Sequence, residues 1–524
     1  MGVLKTLGLF LVSVLAVCES ENILYVFPFT APSHYIFLRS LGLELAARGH
    51  NVTVVAPRLE KNPPSNYHQV LVDDTLLWEV LGMEKPNVFD MIGLSAEMFH
   101  ELLLFGGGPV YTENALKSPE FRQFLDKENH FDVVIVELFF NEAFYALAHK
   151  YNAPLVLITA YGNCMRHNFV TRNPLQMATV VPEFITLKNP TSFRDRLRSW
   201  FFITYEYIRW VFYLNEQEKL VEKYIHGLSE LRPSLYKMQQ NASLVLYNGH
   251  FSFDGPIAYL PNVIEVGGLH LSKSNQSLPK DLQEVMDNAK HGVVYVNFGS
   301  NVQSSELPEY KKQAFLNVFR KLKQTVIWKW EQDNLEGKPN NVIIRKWLPQ
   351  KEILTHPNVK VFVTHGGQMS SQEAIFHGVP IIGVPVYADQ YNNLLLAQER
   401  GFGRILEYHD ITEENFSKMI NDVLYDESYR RSAKESSARY KDRPMSALAT
   451  AMYWVENVMR NKGAEYMKNP ALKLSWITYS MIDVYAFILT ITTAVIFIAY
   501  KLVRLVLSVL CKHKPLKRKQ KKDD

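Results

Sequence analysis

The sequence predicts an α/β protein of two Rossmann-like, doubly wound parallel-sheet domains, followed by one C-terminal transmembrane helix. Three observations carry that expectation. Strand, turn and helix alternate near the start of the chain and again between Gly292 and Leu406. At 524 residues the chain is too long for a single core. Near the C-terminus, Val484 to Tyr500 holds 17 residues without a charge, preceded by Trp476 and Tyr479 and followed by Lys501 and Arg504. That is close to the roughly 20 residues that cross a bilayer.

Taken in order, Lys5, an apolar run from Leu7 to Val17 and the small-residue pattern Ala16-Val17-Cys18 read as a secretory signal cleaved after Cys18. Asn22 to Phe27 is the first strand, His34 to Arg48 a helix capped by Gly49, and Val52 to Val55 the next strand. His34 therefore starts a helix at the carboxyl edge of a strand, where the helix dipole favours a neutral ring able to accept a proton. Phe131 to Val136 is a later strand that places Glu137 at the same sheet edge. Between Pro190 and Tyr236, aromatic residues such as Trp200, Phe201, Trp210 and Phe212 crowd into helical sequence beside Arg194, Arg196, Arg198 and Arg209. Such a cluster fits a membrane interface or the mouth of an apolar pocket, and ordinary core packing accounts equally for any single ring. A linker is expected near Leu260 to Gln276, after which Gly292 to Phe298, Thr325 to Trp330 and Val342 to Arg345 are strands of a second sheet.

The densest signal lies between Phe362 and Asn393. Val361 to Val363 is a strand, His365-Gly366-Gly367 a turn, Gln368 to His377 a helix closed by Gly378 and Pro380, and Ile381 to Val384 the next strand. A helix start after a glycine turn presents free N–H groups and a positive dipole end, which suits a phosphate. His365, Gly367 and Ser370 surround that position, Glu373 lies one turn further along, and Asp389-Gln390 follow where the second strand ends. Ligands bind at that edge of open α/β sheets. A bare Gly-Gly turn is equally a plain connection; the ordered set of polar residues is the stronger sign.

This stretch, with Phe298-Gly299-Ser300 and Trp347-Leu348-Pro349-Gln350 upstream in the same order, resembles the signature of the UDP-glycosyltransferases, in the membrane-bound insect-type branch. The resemblance implies the architecture called GT-B, in which two Rossmann-like domains face each other across a cleft. It implies inverting, metal-independent transfer of a hexose from a UDP-sugar to a hydroxyl of a small lipophilic acceptor. His34 is then the general base and Glu137 its partner, where the family carries the shorter aspartate; helix capping is the other role open to Glu137. On the donor side, Trp347 stacks on uracil and Gln350 reaches the uridine. Ser300, His365, Gly367 and Ser370 contact the diphosphate, Glu373 the ribose, and Asp389 and Gln390 the sugar. Met369 stands where the plant branch has asparagine. The motif is compatible with UDP-glucose and UDP-glucuronic acid, and its insect-like look favours glucose. The UDP-sugar is a co-substrate, so no cofactor is expected, and no metal, because no Asp-x-Asp motif occurs. The implied division is a signal peptide over 1–18, an acceptor-binding domain over 19–265 and a UDP-sugar domain over 266–445. Returning helices over 446–475, a transmembrane helix over 476–503 and a cytosolic basic tail over 504–524 complete it.

Charge and cysteines fit this reading. The segment from Lys501 to Asp524 carries nine Lys or Arg and two Asp, so plus seven lies in the tail of a chain whose net charge is plus four. Removing the tail and Lys5 leaves about minus four (4 − 7 − 1) on the lumenal part. The basic balance therefore marks the cytosolic side of a membrane and not nucleic-acid binding. Lys521-Lys522-Asp523-Asp524 resembles a dilysine retrieval signal, so a single-pass, lumen-facing protein of the endoplasmic reticulum membrane is expected. Cys164 is the lone lumenal cysteine, which excludes an internal disulfide. Asn241, Asn275 and Asn415 are open sequons, whereas Asn51 begins an inner strand and is expected buried. A homo-oligomer is left open. Two readings from other classes are a dinucleotide oxidoreductase, which lacks its Gly-x-Gly-x-x-Gly fingerprint here, and a membrane protein that binds lipophilic ligands without turnover.

Overall fold

The computed structural model describes residues 20–92, 95–162, 164–187, 189–229, 231–271 and 277–512. The expected signal peptide, the Asn275 sequon and the Lys521-Lys522 pair lie outside these described residues. The chain divides at Lys468/Asn469 into two compact units.

The first unit holds two sheets. Strands β1 (Asn22–Val26), β2 (Asn51–Ala56), β3 (Tyr67–Leu71), β4 (Val133–Glu137), β5 (Leu155–Thr159), β6 (Leu244–Tyr247) and β7 (Val263–Glu265) form one in the order β3-β2-β1-β4-β5-β6-β7. Strands β8 (Val293–Asn297), β9 (Thr325–Lys329), β10 (Val342–Arg345), β11 (Val359–Thr364), β12 (Ile381–Gly383) and β13 (Gly403–Ile405) form the other, ordered β10-β9-β8-β11-β12-β13. Every strand pairs parallel to its neighbours. These strands are short Val/Ile/Leu runs, and in β1, β4, β5, β8 and β11 nearly every position is buried. That pattern belongs to a sheet covered on both faces. The order reverses between β1 and β4 and again between β8 and β11, and each reversal opens a crevice at the carboxyl ends of the strands.

The helices that matter to the site are α1 (Pro32–Ala47), α2 (Phe193–Tyr224), α3 (Gln368–His377), α4 (Gln390–Glu399) and α5 (Ala447–Arg460). Pro32 starts α1 with its φ already helical. Helix α5 buries Ala447, Leu448, Ala451, Met452, Val455 and Val458 in the same core as Ile23, Tyr25 and Leu41, so the chain after the second sheet packs on the first. In the second unit, α6 (Ile482–Lys512) is long and apolar enough over Ile482–Cys511 to cross a membrane, by length and composition. It runs past Tyr500 because Leu502 and Val503, between Lys501 and Arg504, and Leu505 to Leu507 beyond them continue the apolar face.

Two expectations are corrected. Asn51 is exposed: it opens β2 at the amino edge, where its amide donates to Asn22 Oδ1 at 3.2 Å. The proposed linker contains β7, whose three residues are too few to show a period between Pro261 and Gly267. Cys164 is free and buried.

Candidate active site

Because β1 and β4 are neighbours, with Val26 opposite Val136, the loop leaving β1 and the last residue of β4 meet at the crevice. His34, the third residue of α1, is buried there, and its Nδ1 donates to Glu137 Oε1. Glu137 is fully buried and lies behind the ring; the following turn of helix is entered at Asn141, so the carboxylate serves the histidine and not a cap. Nδ1 is thereby committed to Glu137, which leaves Nε2 without that partner. The rings of Phe29, Phe139 and Tyr161 stand 4.8, 4.6 and 5.5 Å from the imidazole. The imidazole therefore sits in an aromatic wall.

Across a cleft of about 580 Å³, the segments after β8, β10, β11 and β12, with the first turns of α3, present the other predicted residues. His34, Ser300, Trp347, Gln350, His365, Gly367, Ser370, Glu373, Asp389 and Gln390 all line it. Trp347 is 63% exposed, so its ring is an open face at the rim and not core packing. Gln350 accepts from Asn297 Nδ2 at 2.7 Å and donates to Glu373 Oε2 at 2.7 Å and Ser370 Oγ at 3.1 Å. Three predicted residues thus form one hydrogen-bonded group. Gly299 adopts φ +89°, and a Cβ there would lie 2.6 Å from His365 Cε1. A Cβ on Gly367 would lie 2.6 Å from His365 Nε2. The imidazole is therefore clamped between two backbones that only glycine permits. Burial, then the nearby Lys329 ammonium, pull His365 down to about 4, so it is neutral at pH 7.

The first turn of α3 has no side-chain cap and no acidic residue, leaving its N–H groups open toward the cleft. Met369 at this turn packs on the first sheet's core, while Gln368 and Gln372 donate to the Asn248 carbonyl at 3.1 and 2.8 Å. Helix α3 is thus fastened to the first sheet's elements. Gln390 turns onto its own loop, accepting from Val386 N at 2.8 Å and Tyr387 N at 3.1 Å. Asp389 accepts from Asn393 at 2.8 Å, and loss of hydration pushes its carboxyl up to about 6 against that bond. Ala388 before it holds φ +55°, a strained conformation for a residue with a side chain.

Several cleft residues escaped the sequence reading. Asn297 and Lys329 end β8 and β9, and strand ends of an open sheet are where ligand groups gather, so a signal existed for both. His270 Nε2 meets Glu373 Oε1 at 3.1 Å from a short turn beyond β7, and nothing local in the sequence marks it. A separate buried charge cluster lies in the first domain. Arg166 sits 3.8 Å over the Phe140 ring and 3.9 Å from Glu142, near Glu206 and the Cys164–Glu183 pair. Burial pushes the Glu142 and Glu206 carboxyls up, and the Arg166 guanidinium opposes it.

Comparison with known proteins agrees with this geometry. The family model described as UDP-glucoronosyl and UDP-glucosyl transferase matches residues 111–518. "UDP-glycosyltransferase UGT5" of Dactylopius coccus is 35% identical over 507 residues, 96% of this chain and 95% of the relative. "UDP-glucosyltransferase 2" of the same organism is 34% identical over 511 residues, covering 94% and 95%. Among solved structures, the glycotransferase of kitacinnamycin superposes with a TM-score of 0.57 at 17% identity, over 84% of this chain and 100% of that one, which speaks for the fold alone. The chain belongs to the UDP-glycosyltransferase family and is a glycosyltransferase enzyme of the GT-B fold.

Proposed function

We propose that the protein transfers glucose from UDP-glucose to a hydroxyl of a small lipophilic acceptor by a single inverting displacement. The observation that carries this is the His34–Glu137 pair at the floor of one crevice, facing the Ser300, His365 and α3 edge of the other. His34 Nε2 takes the acceptor proton as its oxygen attacks the anomeric carbon. Glu137 fixes the tautomer and stabilises the imidazolium that forms. Ser300, His365, Gly367 and Ser370, with the open N–H groups of α3, hold the leaving diphosphate, and Lys329 adds a cation on that side. Trp347 stacks on uracil. Gln350 and Glu373 take the uridine and its ribose. Asp389 binds sugar hydroxyls, and Gln390 braces its loop as well as facing the sugar. The aromatic wall around His34 favours apolar acceptors. The catalytic domains are lumenal, anchored in the endoplasmic reticulum membrane by α6.

Glucose is preferred to glucuronic acid because the motif after Gly367 looks insect-like and one insect relative carries the name UDP-glucosyltransferase. No metal step is needed, since dipoles and side chains cover the diphosphate. Microsomes holding the full chain, given either UDP-glucose or UDP-glucuronic acid with a panel of phenols, are expected to glucosylate with EDTA present as without it. Loss of transfer in EDTA with recovery on adding a divalent ion overturns the metal-free step; transfer from UDP-glucuronic acid alone overturns the donor. Binding of phenols without turnover favours a ligand carrier.

The Asp389 carboxyl gives a pH dependence of known sign. Its value near 6 in the free protein means that it is ionised above pH 6 and protonated below. Sugar hydroxyls donate best to the carboxylate, so the UDP-sugar KM is expected to rise as pH falls through 6. Asp389→Asn should raise KM at pH 7.5 and flatten that rise, measured by initial rates; an unchanged profile removes Asp389 from the sugar site.

A further inference from the structure

Four segments of the first domain bring metal-ligating side chains to one buried point. Cys164 follows β5, Glu183 lies in the segment before α2, Glu206 is on α2, and His100 begins a π-helical turn over His100–Phe105. Such turns are rare and gather at functional sites. The Cys164 sulfur, a Glu183 oxygen and a Glu206 oxygen all lie within 4.8 Å of one another. The ligands of a tetrahedral zinc ion stand roughly 3.5 Å apart, given bonds of about 2.0–2.3 Å, so small side-chain rotations close the set. Cys164 and Glu183 touch each other directly, but Glu206 is fully buried with no hydrogen-bond partner on either carboxylate oxygen among the described residues. His100 Nε2, also buried and without one, stands 3.8 Å from Glu206 Oε1, beyond hydrogen-bond reach. Buried carboxylates are paired or hold a metal, and a bare one calls for a bound group. The charges agree. Glu142, Glu183 and Glu206 share one guanidinium, Arg166, and three carboxylates against one cation leave two negative charges in excess. Arg209, near His100, is already engaged by Glu101 and Glu216.

We propose that Cys164, Glu183 and Glu206 bind a structural zinc ion, with His100 Nε2 closing the fourth position. The ligand types select the metal: a thiolate beside carboxylate and imidazole suits zinc, whereas magnesium and calcium take oxygen ligands. Binding forms the Zn–S bond and releases the Cys164 thiol proton to solvent, with no change of oxidation state. Cys164 is a free cysteine, so the ion does here what a disulfide does elsewhere, tying segments that are far apart in the chain. The ion stands apart from the diphosphate edge, behind the aromatic wall, where His100 stacks on Phe184 and Phe184 meets Tyr161. It takes no part in transfer and, being buried, exchanges with EDTA only when the domain opens locally. Its effect is on position. Asn392 of α4 donates to the carbonyls of Pro182, Glu183 and Ile185 at 3.4, 3.3 and 3.2 Å, so the segment that the ion fastens is the one on which α4 rests.

The test uses the full chain, expressed with zinc sulfate in the medium, purified in detergent and dialysed against metal-free buffer. Elemental mass spectrometry is expected to find one zinc ion per chain. Cys164→Ser and Glu206→Gln should each lower that content several-fold, whereas Cys511→Ser, at the exposed cysteine, keeps it. Far-ultraviolet circular dichroism matching the parent identifies the variants that fold. Parent protein expressed with cobalt(II) in place of zinc should show the near-ultraviolet thiolate-to-cobalt charge-transfer band, a readout that needs no variant. Parent protein without stoichiometric zinc overturns the proposal, as does a cobalt protein without the thiolate band. Zinc retained in folded Cys164→Ser and Glu206→Gln also overturns it, and assigns the ion to another site or to adventitious binding.

Discussion

Replacing His34 by alanine is expected to lower kcat by roughly 10²- to 10⁴-fold, the usual worth of a positioned general base. UDP should bind as before, because the site proposed for it comes from the loops after β8 and β11 and from Trp347, which do not hydrogen-bond to the His34 imidazole among the described residues. The split between turnover and donor affinity separates loss of the base from loss of the fold. Glu137 sharpens the case. Its side chain is one methylene longer than the family's aspartate, yet it reaches Nδ1 because it is itself the last residue of β4 rather than part of the loop beyond. Glu137→Gln keeps the shape and removes the charge that stabilises the imidazolium, so its loss of kcat should be smaller than that of His34→Ala. A His34→Ala enzyme with normal turnover would contradict the assignment, whatever Glu137 does.

Arg166→Ala is expected to be the most damaging substitution for stability, by about 3–5 kcal/mol, the cost of breaking a buried ionic group by removing one partner. The guanidinium is fully buried, stacked on Phe140, and opposes the upward push that burial gives the Glu142 and Glu206 carboxyls. Without it those carboxyls move higher still. The folded state then binds more protons than the unfolded one, so the variant's stability falls as pH rises through the raised values. Thermal melts of solubilised protein should show a large deficit at pH 7.5 and a smaller one at pH 5.5. A melt indistinguishable from the parent would mean that the cluster is held by something other than this charge.

Much of the fold was legible because its repeating unit is local. A short apolar run, a glycine turn and an amphipathic stretch announce β1–α1 and β11–α3 with little outside context, and those two units carry His34 and the diphosphate edge. Strand β3 was not legible: Tyr67–Leu71 is a half-buried edge segment, with His68 and Gln69 breaking the apolar run. Asn51 misled for the related reason that the first residue of a buried strand still points to water. On the site, the cleft gathers every predicted donor residue, since each belongs to a turn that ends a strand or to the first turns of the helix that follows it. Gln390 shows what a motif leaves out. Its position is at the sugar edge, but its carbonyl braces the backbone of Val386 and Tyr387, a partner choice set by loop geometry. His270 and Arg166 lie further from reach, because a buried ion pair or a cross-domain contact leaves no period and no spacing behind it. The exposed face of α2, with Trp200, Phe201 and Phe212, was readable as aromatic crowding, but which rings face outward required the helix to be placed on its core.

Product stereochemistry is the most direct test of a single displacement governed by His34. Full-length protein in microsomes, supplied with UDP-glucose, whose sugar is α-linked, and a phenolic acceptor, should yield the β-glucoside, read from the anomeric proton coupling by NMR. An α-glucoside would mean net retention, which a single displacement from the opposite face cannot give, and would contradict the role given to His34 and Glu137.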